Sequence, residues 1–381
     1  MSQRGKAACW VGAILVVLIT WYAFGLRGSA PTRKGPLKIG FIGPLTGAAA
    51  NYGELSRNSI ELAVKSIASQ GKDIQVIYED GGCNGKDAAS AANKLVSIDR
   101  VNLIVGGMCS GEALAALPIT DANKVILFAS MASSPALSGA GKLFFRNSPS
   151  DAEGGRELAS VVSKAHKDVA IVAEQTDYAQ ALRTVFEGAY KQQGGTIVSD
   201  QSFNTGMTDF RSLLLRVKNS GAQAILIDTQ GDQTGGLIAK QARDLGIAAP
   251  FYGYIIPGGA NFIKAAGSAA NGTVFVDLAS VDDSNTRVQT FLREYEKAYG
   301  APDHEYYMAA SYDAINILVQ AVSAVGMDTT RIASYLHALP NYDGLIGTYH
   351  FDENGDPVGV GFSLYTIKNG KVQMVSASVP Q

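Results

Sequence analysis

The sequence predicts an α/β fold of two doubly wound, parallel-sheet lobes behind an N-terminal transmembrane helix, and three observations carry the prediction. Short apolar runs alternate with amphipathic stretches of 10–17 residues, the pattern of βαβ units around a parallel sheet. The alternation runs through twice, interrupted at 144–155 (FFRNSPSDAEGG). The third is the stretch 102–137, NLIVGGMCSGEALAALPITDANKVILFASMASSPAL, which reads strand, small-residue turn, helix, strand, small-residue turn. Ligands of open α/β sheets lie beyond the carboxyl ends of the strands, so both turns mark a place where a ligand would sit.

Length and composition agree with this. A chain of 381 residues accommodates two domains of ordinary size. Its 46% hydrophobic and 17% charged residues are those of a globular protein. A net charge of −2 argues against nucleic acid as the main partner.

The N-terminus is a separate object. Arg4 and Lys6 precede an uncharged apolar run at 7–26. Twenty helical residues reach about 30 Å, enough to cross a bilayer, and the run exceeds the roughly 7–15 residues of a signal-peptide core. Trp10, Trp21 and Tyr22 stand toward its ends, where amphipathic rings anchor. Gly28-Ser29-Ala30 is a weak cleavage site because Pro31 follows, and Cys9 precedes the apolar run, unlike a lipoprotein cysteine. Residues 1–36 are therefore expected to be an uncleaved signal-anchor and linker, with a cleaved signal peptide as the alternative; either way the remainder is extracytoplasmic. In an exported chain the other two cysteines, Cys83 and Cys109, read as a disulfide, since both fall just past predicted strands. Such a bridge stabilises by about 3–4 kcal/mol in the chain-entropy model; the alternative is two reduced core thiols.

In order, the run 37–42 is a buried strand followed by the turn GPLTG at 43–47. Residues 54–69 place Leu55, Ile60, Ala63, Val64 and Ile67 on one helical face. A strand at 74–78 and a helix at 86–98 lead to the strand 103–105, the helix 112–122 and the strand 125–129. In the second series helices at 153–165, 179–192, 208–218 and 233–245 alternate with strands at 169–173, 196–201, 224–227 and 251–254. Beyond 281 come helices at 285–299, 305–325 and 329–338, then short strands around 349–351, 362–367 and 372–375.

Candidate binding groups stand at the turns. Ser110 and the hydroxyl-rich run 130–135 lie beside helix N-termini, whose N–H groups and dipole suit a carboxylate or another anion; read alone, the serines serve equally as helix caps. Tyr52 follows a small-residue turn, and Tyr178 lies beyond a strand end. Asp228 ends a buried strand, as a ligand contact or as a cap for the next helix, and Gln230 and Tyr254 occupy neighbouring turns. His304-Glu305 opens a helix and reads as a solvated end. Catalytic patterns fail. GGCNGK at 81–86 lacks P-loop spacing, no G-x-G-x-x-G follows the first strand, and neither G-x-S-x-G nor H-E-x-x-H occurs.

In this order, several motifs resemble one family, the type I periplasmic solute-binding proteins of ABC transporters, in particular the branched-chain amino acid (leucine/isoleucine/valine) group. They are IGFIGPLTG at 39–47, Cys83 leading into GGMCS at 106–110, ASMASSP at 129–135, FFRNSPSD at 144–151 and FDENGD at 351–356. The resemblance spans about 37–375. It implies the type I periplasmic-binding-protein-like fold, with lobe 1 from 37–149 and 282–346, lobe 2 from 150–281 and 347–381, and three crossover segments near 147–154, 279–284 and 344–349. It also implies an extracytoplasmic component of an ABC importer, partnered by a membrane permease, without cofactor, metal or catalysis. The ligand is then an amino acid or amide-like solute held in the interlobe cleft by hinge closure; a ligand-sensing domain of the same fold is the alternative. By the resemblance Ser110 grips the ligand carboxylate, Ser133 contacts carboxylate and amine, and the Met131 carbonyl accepts from the amine. Ala132 belongs to the same turn, and Tyr52 and Tyr178 line the cleft from the two lobes.

One position departs from the pattern. Where the amino acid binders carry an acidic residue for the ammonium group, this chain has Ile255 within Gly253-Tyr254-Ile255-Ile256-Pro257. An ammonium buried without a counter-charge is costly. Asp228, Asp232, Glu174 or Asp177 would have to compensate; otherwise the ligand is an amine-free carboxylate, an amide or a small aromatic acid.

Overall fold

The first sheet forms because five apolar runs, each too short for a helix, are buried side by side in parallel. A computed structural model describes residues 35–279, 281–282 and 284–377; the expected anchor at 7–26 lies outside these. The strands are β1 (Leu37–Gly43), β2 (Ile74–Asp80), β3 (Leu103–Gly106), β4 (Ile126–Ala129) and β5 (Phe144–Arg146). Their order is β2-β1-β3-β4-β5, all parallel. Helices α1 (Ala50–Ser69), α2 (Gly85–Ser97) and α3 (Ser110–Ala122) connect the first four strands.

The second sheet repeats the scheme. It comprises β6 (Asp168–Glu174), β7 (Thr196–Phe203), β8 (Ala224–Asp228), β9 (Phe251–Tyr254) and β10 (Val274–Leu278). Between and before them run α4 (Asp151–Ser163), α5 (Asp177–Gln192), α6 (Arg211–Asn219), α7 (Asp232–Asp244) and α8 (Ala260–Ala266). Helices α9 (Thr286–Tyr299), α10 (Glu305–Val325) and α11 (Thr329–Ala338) follow, then a small antiparallel sheet of β11 (Tyr342–Asp343), β12 (Thr348–Phe351) and β13 (Pro357–Val358). The last strands, β14 (Phe362–Lys368) and β15 (Lys371–Ala377), return to the second sheet as an antiparallel edge, in the order β15-β14-β10-β9-β8-β6-β7. Helices α9 and α10 pack on α1, beside the first sheet. Among the described residues α10 is the one helix long and apolar enough to cross a bilayer, and here it is a core helix.

The structure corrects the sequence reading in places. Residues 144–146 are not a break but β5, paired in parallel with β4. Three residues show no periodicity, and the run ends in an arginine. That Arg146 is fully buried because its charge is matched. Its Nε donates to Asp356 Oδ1 at 2.6 Å and its Nη2 to Oδ2 at 3.1 Å. Its Nη1 bonds the carbonyls of Ser134 at 2.9 Å and Ala132 at 3.4 Å. The FDENGD turn thus holds the turn after β4 through one guanidinium. Helix α1 starts at Ala50, four residues before the expected start at 54; its N-cap, Ala49, makes no side-chain cap that would mark the start in sequence.

Candidate functional site

Two turns at the carboxyl end of the first sheet form one wall. Cys83, after β2, and Cys109, before α3, are joined by the expected disulfide, with Cα atoms 5.3 Å apart. Glu112 secures both ends. Its buried carboxylate accepts from Cys83 N–H at 2.9 Å and reaches back to Cys109 N–H at 3.0 Å, the N3-to-N-cap half of a capping box. Burial pushes its pKa up to about 7 against the pull of those N–H groups. Gly81 is required there, since a Cβ would fall on the Glu112 carboxylate. Ser110 opens α3, and its Oγ accepts from Ser134 N–H at 3.2 Å, leaving the hydroxyl hydrogen to donate. Residues 130–134 are all buried, and the Ser133 carbonyl accepts from Asp151 N–H at 2.8 Å.

The second sheet supplies the facing wall. Glu174, ending β6, accepts from Gln230 N–H at 2.8 Å, which fixes the turn after β8. Tyr178 stands in the first turn of α5 and directs its hydroxyl toward the Tyr254 carbonyl at 3.5 Å. Ile255 has φ 59° and ψ −60°, a true outlier for a β-branched residue. It is held by Ile255 N–H to Val276 O at 2.8 Å and by Gly258 N–H to its own carbonyl at 2.9 Å.

Between the walls lies a small cavity of about 30 Å³, room for a water or two. The structure brings Tyr52, Ser110, Met131, Ser133, Tyr178, Gln230 and Ile255 together around it. Ala132, Asp228 and Tyr254 are buried without lining it. Met108, Ile256 and Tyr307 also line it, as does Cys109, expected only as a disulfide partner. Met108 and Ile256 adjoin expected residues in sequence, whereas Tyr307, on α10, gave no local signal. Gln230 also borders a larger cleft of about 670 Å³, lined by the turns at 82–85 and 174–177 and by Gly111 and Gly231.

Several carboxylates surround the cavity. Asp232, at the start of α7, accepts from the Tyr52 hydroxyl, from Asn51 Nδ2 at 3.3 Å and from His304 Nε2 at 3.1 Å. His304 is therefore not a solvated helix end; its side chain is 3% exposed and ion-paired. Burial alone would lower its pKa, but Asp232 raises it to about 9. Asp232, Asp303 and His304 stand within 4.8 Å of one another, a spacing that could hold a cation, but the His304 proton already occupies that place. Asp228 caps no helix; neither of its oxygens has a hydrogen-bond partner among the described residues. Burial holds its carboxyl well above the usual range, and Asp151 and Glu174 add to this. The Asp151 carboxyl is likewise unpartnered and is raised by burial to about 7. The Ser133 and Tyr254 hydroxyls lie beside it and favour its anion.

Hydroxyls, main-chain amides and buried carboxylates thus gather around one small cavity. The family described as periplasmic binding protein matches residues 36–371. The chain is 25% identical over 337 residues to the leucine-, isoleucine-, valine-, threonine-, and alanine-binding protein of Pseudomonas aeruginosa, covering 86% of this chain and 89% of that one. A crystal structure of a leucine binding protein from Thermotoga maritima superposes with a TM-score of 0.82 at 26% identity, over 89% of this chain and 98% of that one. The branched-chain amino acid transporter substrate binding protein of Streptococcus pneumoniae, in complex with isoleucine, gives 0.80 at 26% identity, over 90% and 100%.

Proposed function

Because the chain belongs to the periplasmic binding protein family, we propose that it is the extracytoplasmic receptor of an ABC importer, tethered by residues 7–26 and delivering a small amino acid or amide-like solute to a membrane permease. The observation that carries this reading is the convergence of Ser110, Ser133, Tyr52, Tyr178, Gln230 and Ile255 on one buried cavity at the carboxyl ends of two sheets. The lobes run from 37–149 with 282–346 and from 150–281 with 347–381, and they close on the ligand by a hinge. The Ser110 hydroxyl and the N-terminus of α3 receive the ligand carboxylate. Met131, Ala132 and Ser133 receive its neighbouring polar group, and Tyr52 and Tyr178 exclude water. A second reading, a small amine-free carboxylate, is favoured by Ile255 at the place of the acidic residue.

A thermal-shift screen of the purified full-length protein tests this with all amino acids, their amides, and small aliphatic and aromatic acids. A ligand at 100 times its dissociation constant adds about 2.7 kcal/mol of stability. The expected result is a shift with at least one carboxylate-bearing solute that Ser133→Ala abolishes. No shift across the panel, or a shift that Ser133→Ala leaves intact, refutes the reading.

A further inference from the structure

Asp232 opens α7, a helix of the second sheet, yet its carboxylate draws its donors from the other half of the molecule. The Tyr52 hydroxyl and Asn51 Nδ2 come from α1, and His304 Nε2 comes from the N-cap of α10. Those two helices pack on each other beside the first sheet. Among the described residues no donor from the second sheet or its helices reaches the Asp232 side chain. The ion pair is shut off from water, its two side chains 3% and 1% exposed. His304 reaches it from a left-handed backbone, φ 47° and ψ 54°, and Gly259 leaves the room, since a Cβ there would fall on both Asp232 Oδ2 and His304 Nε2.

Three features separate this cluster from ordinary core. First, its groups have good solvated alternatives. A carboxylate at a helix N-terminus is favoured by that helix whether or not the two halves touch, and an imidazolium set free is hydrated. The bonds can therefore break and reform without unfolding either half. Second, His304 is the one cation at the centre of several acids, with Asp303 beside it and Asp277 of β10 adding to the pull of Asp232. Losing either partner of the pair leaves a buried charge unmatched. Third, the main chains meet closely around it. Ala260 N–H donates to Asp303 Oδ1 at 3.3 Å, and a Cβ at Gly231 would stand 3.4 Å from the Ala48 carbonyl oxygen. Asp232, Asn51 and His304 do not line the small cavity, and only Tyr52 links them to it.

We propose that Asp232 is an interlobe latch, holding the cleft shut through bonds to Tyr52, Asn51 and His304 that no ligand has to make. It sets how often the cleft opens and raises the affinity for every solute that binds the closed form by a common factor, without choosing among them. This rests on the reading of the two lobes as closing by a hinge.

The test is hydrogen–deuterium exchange of purified full-length wild type, Asp232→Asn and His304→Gln, with no solute added. Two sets of amides are followed: those at the cavity, 108–110 and 131–133, and those of the central strand β8 at 224–227. In wild type the cavity amides are expected to exchange ahead of β8, because they need only cleft opening. Both variants should speed the cavity amides by about tenfold or more and β8 by less than about threefold. His304→Gln carries the test alone if Asp232→Asn does not fold. Unchanged cavity exchange in the variants, or equal acceleration of the cavity and β8, overturns the latch and leaves the hinge standing. One common rate for the cavity and β8 in all three proteins removes the hinge and the latch together.

Discussion

Replacing the disulfide by Cys83→Ala/Cys109→Ala should lower stability far more than it lowers ligand affinity. The bridge spans a sequence separation of 26. For a loop of that size the chain-entropy model gives about 3.5 kcal/mol at 25 °C, lost from the unfolded-state constraint. Near 2.1 cal/mol/K per residue, the unfolding entropy of the roughly 340 folded residues converts this to a fall in Tm of about 5 °C. The native geometry does not depend on the bridge alone, because Glu112 binds the backbone N–H of both cysteine positions, and alanine keeps those groups. Ser110 thus stays near its place, and affinity should change by less than about tenfold, or 1.4 kcal/mol. Scanning calorimetry of wild type and the double variant gives the first quantity, and titration with a ligand found by the thermal screen gives the second. A Tm drop below about 1 °C refutes the loop-entropy argument. A 100-fold affinity loss at nearly unchanged Tm shows that the bridge shapes the site directly.

Three further outcomes follow from named contacts. His304 has a folded pKa raised from 6.5 to about 9. Its pairing with Asp232 therefore contributes stability that is whole below about pH 6.5 and is lost as pH rises through about 9, on the order of 3 kcal/mol. Melting curves from pH 6 to 10 should show this decline, and Asp232→Asn should flatten it; parallel curves would exclude the ion pair as the cause. Asp356→Ala strands the buried Arg146 guanidinium and should cost about 3–5 kcal/mol in denaturant titrations, and a loss under about 1 kcal/mol contradicts the assigned clasp. Gly81→Ala drives a Cβ into the Glu112 carboxylate and should cost about 1–3 kcal/mol, with no loss meaning that Glu112 yields freely.

Elements whose signal is periodic and local were readable without a structure. The strands expected at 103–105 and 125–129 are found at 103–106 and 126–129, each differing by one end residue. The hidden elements have signals carried by distant partners. β5 is a strand only because β4 lies beside it, and its arginine is tolerable only because Asp356 faces it. α8 lies in a glycine- and alanine-rich region, 257–273, whose apolar spacing sets no clear period, and β10 follows directly after it. His304 looked like a solvated end because its partner, Asp232, is 72 residues away. The same reason hid Asp151, an ordinary first-turn acid of a helix in sequence and a buried, unpartnered group in three dimensions. Turn residues such as Ser110 and Gln230 were visible because strand ends in a parallel sheet share one edge.

The clasp between Arg146 and Asp356 also sets a clock. The two residues lie 210 positions apart, so at about 5–20 residues per second roughly 10–40 s of synthesis separate them. Until residue 356 emerges, the guanidinium that holds the carbonyls of Ala132 and Ser134 has no counter-ion, and the serine turn is unfinished however complete its own sheet is. A nascent chain therefore carries the first sheet and the parallel strands of the second, but not its antiparallel edge β14-β15, before the clasp can close, and truncation just before Asp356 leaves α1–α11 and β1–β12 with the Arg146 guanidinium unmatched.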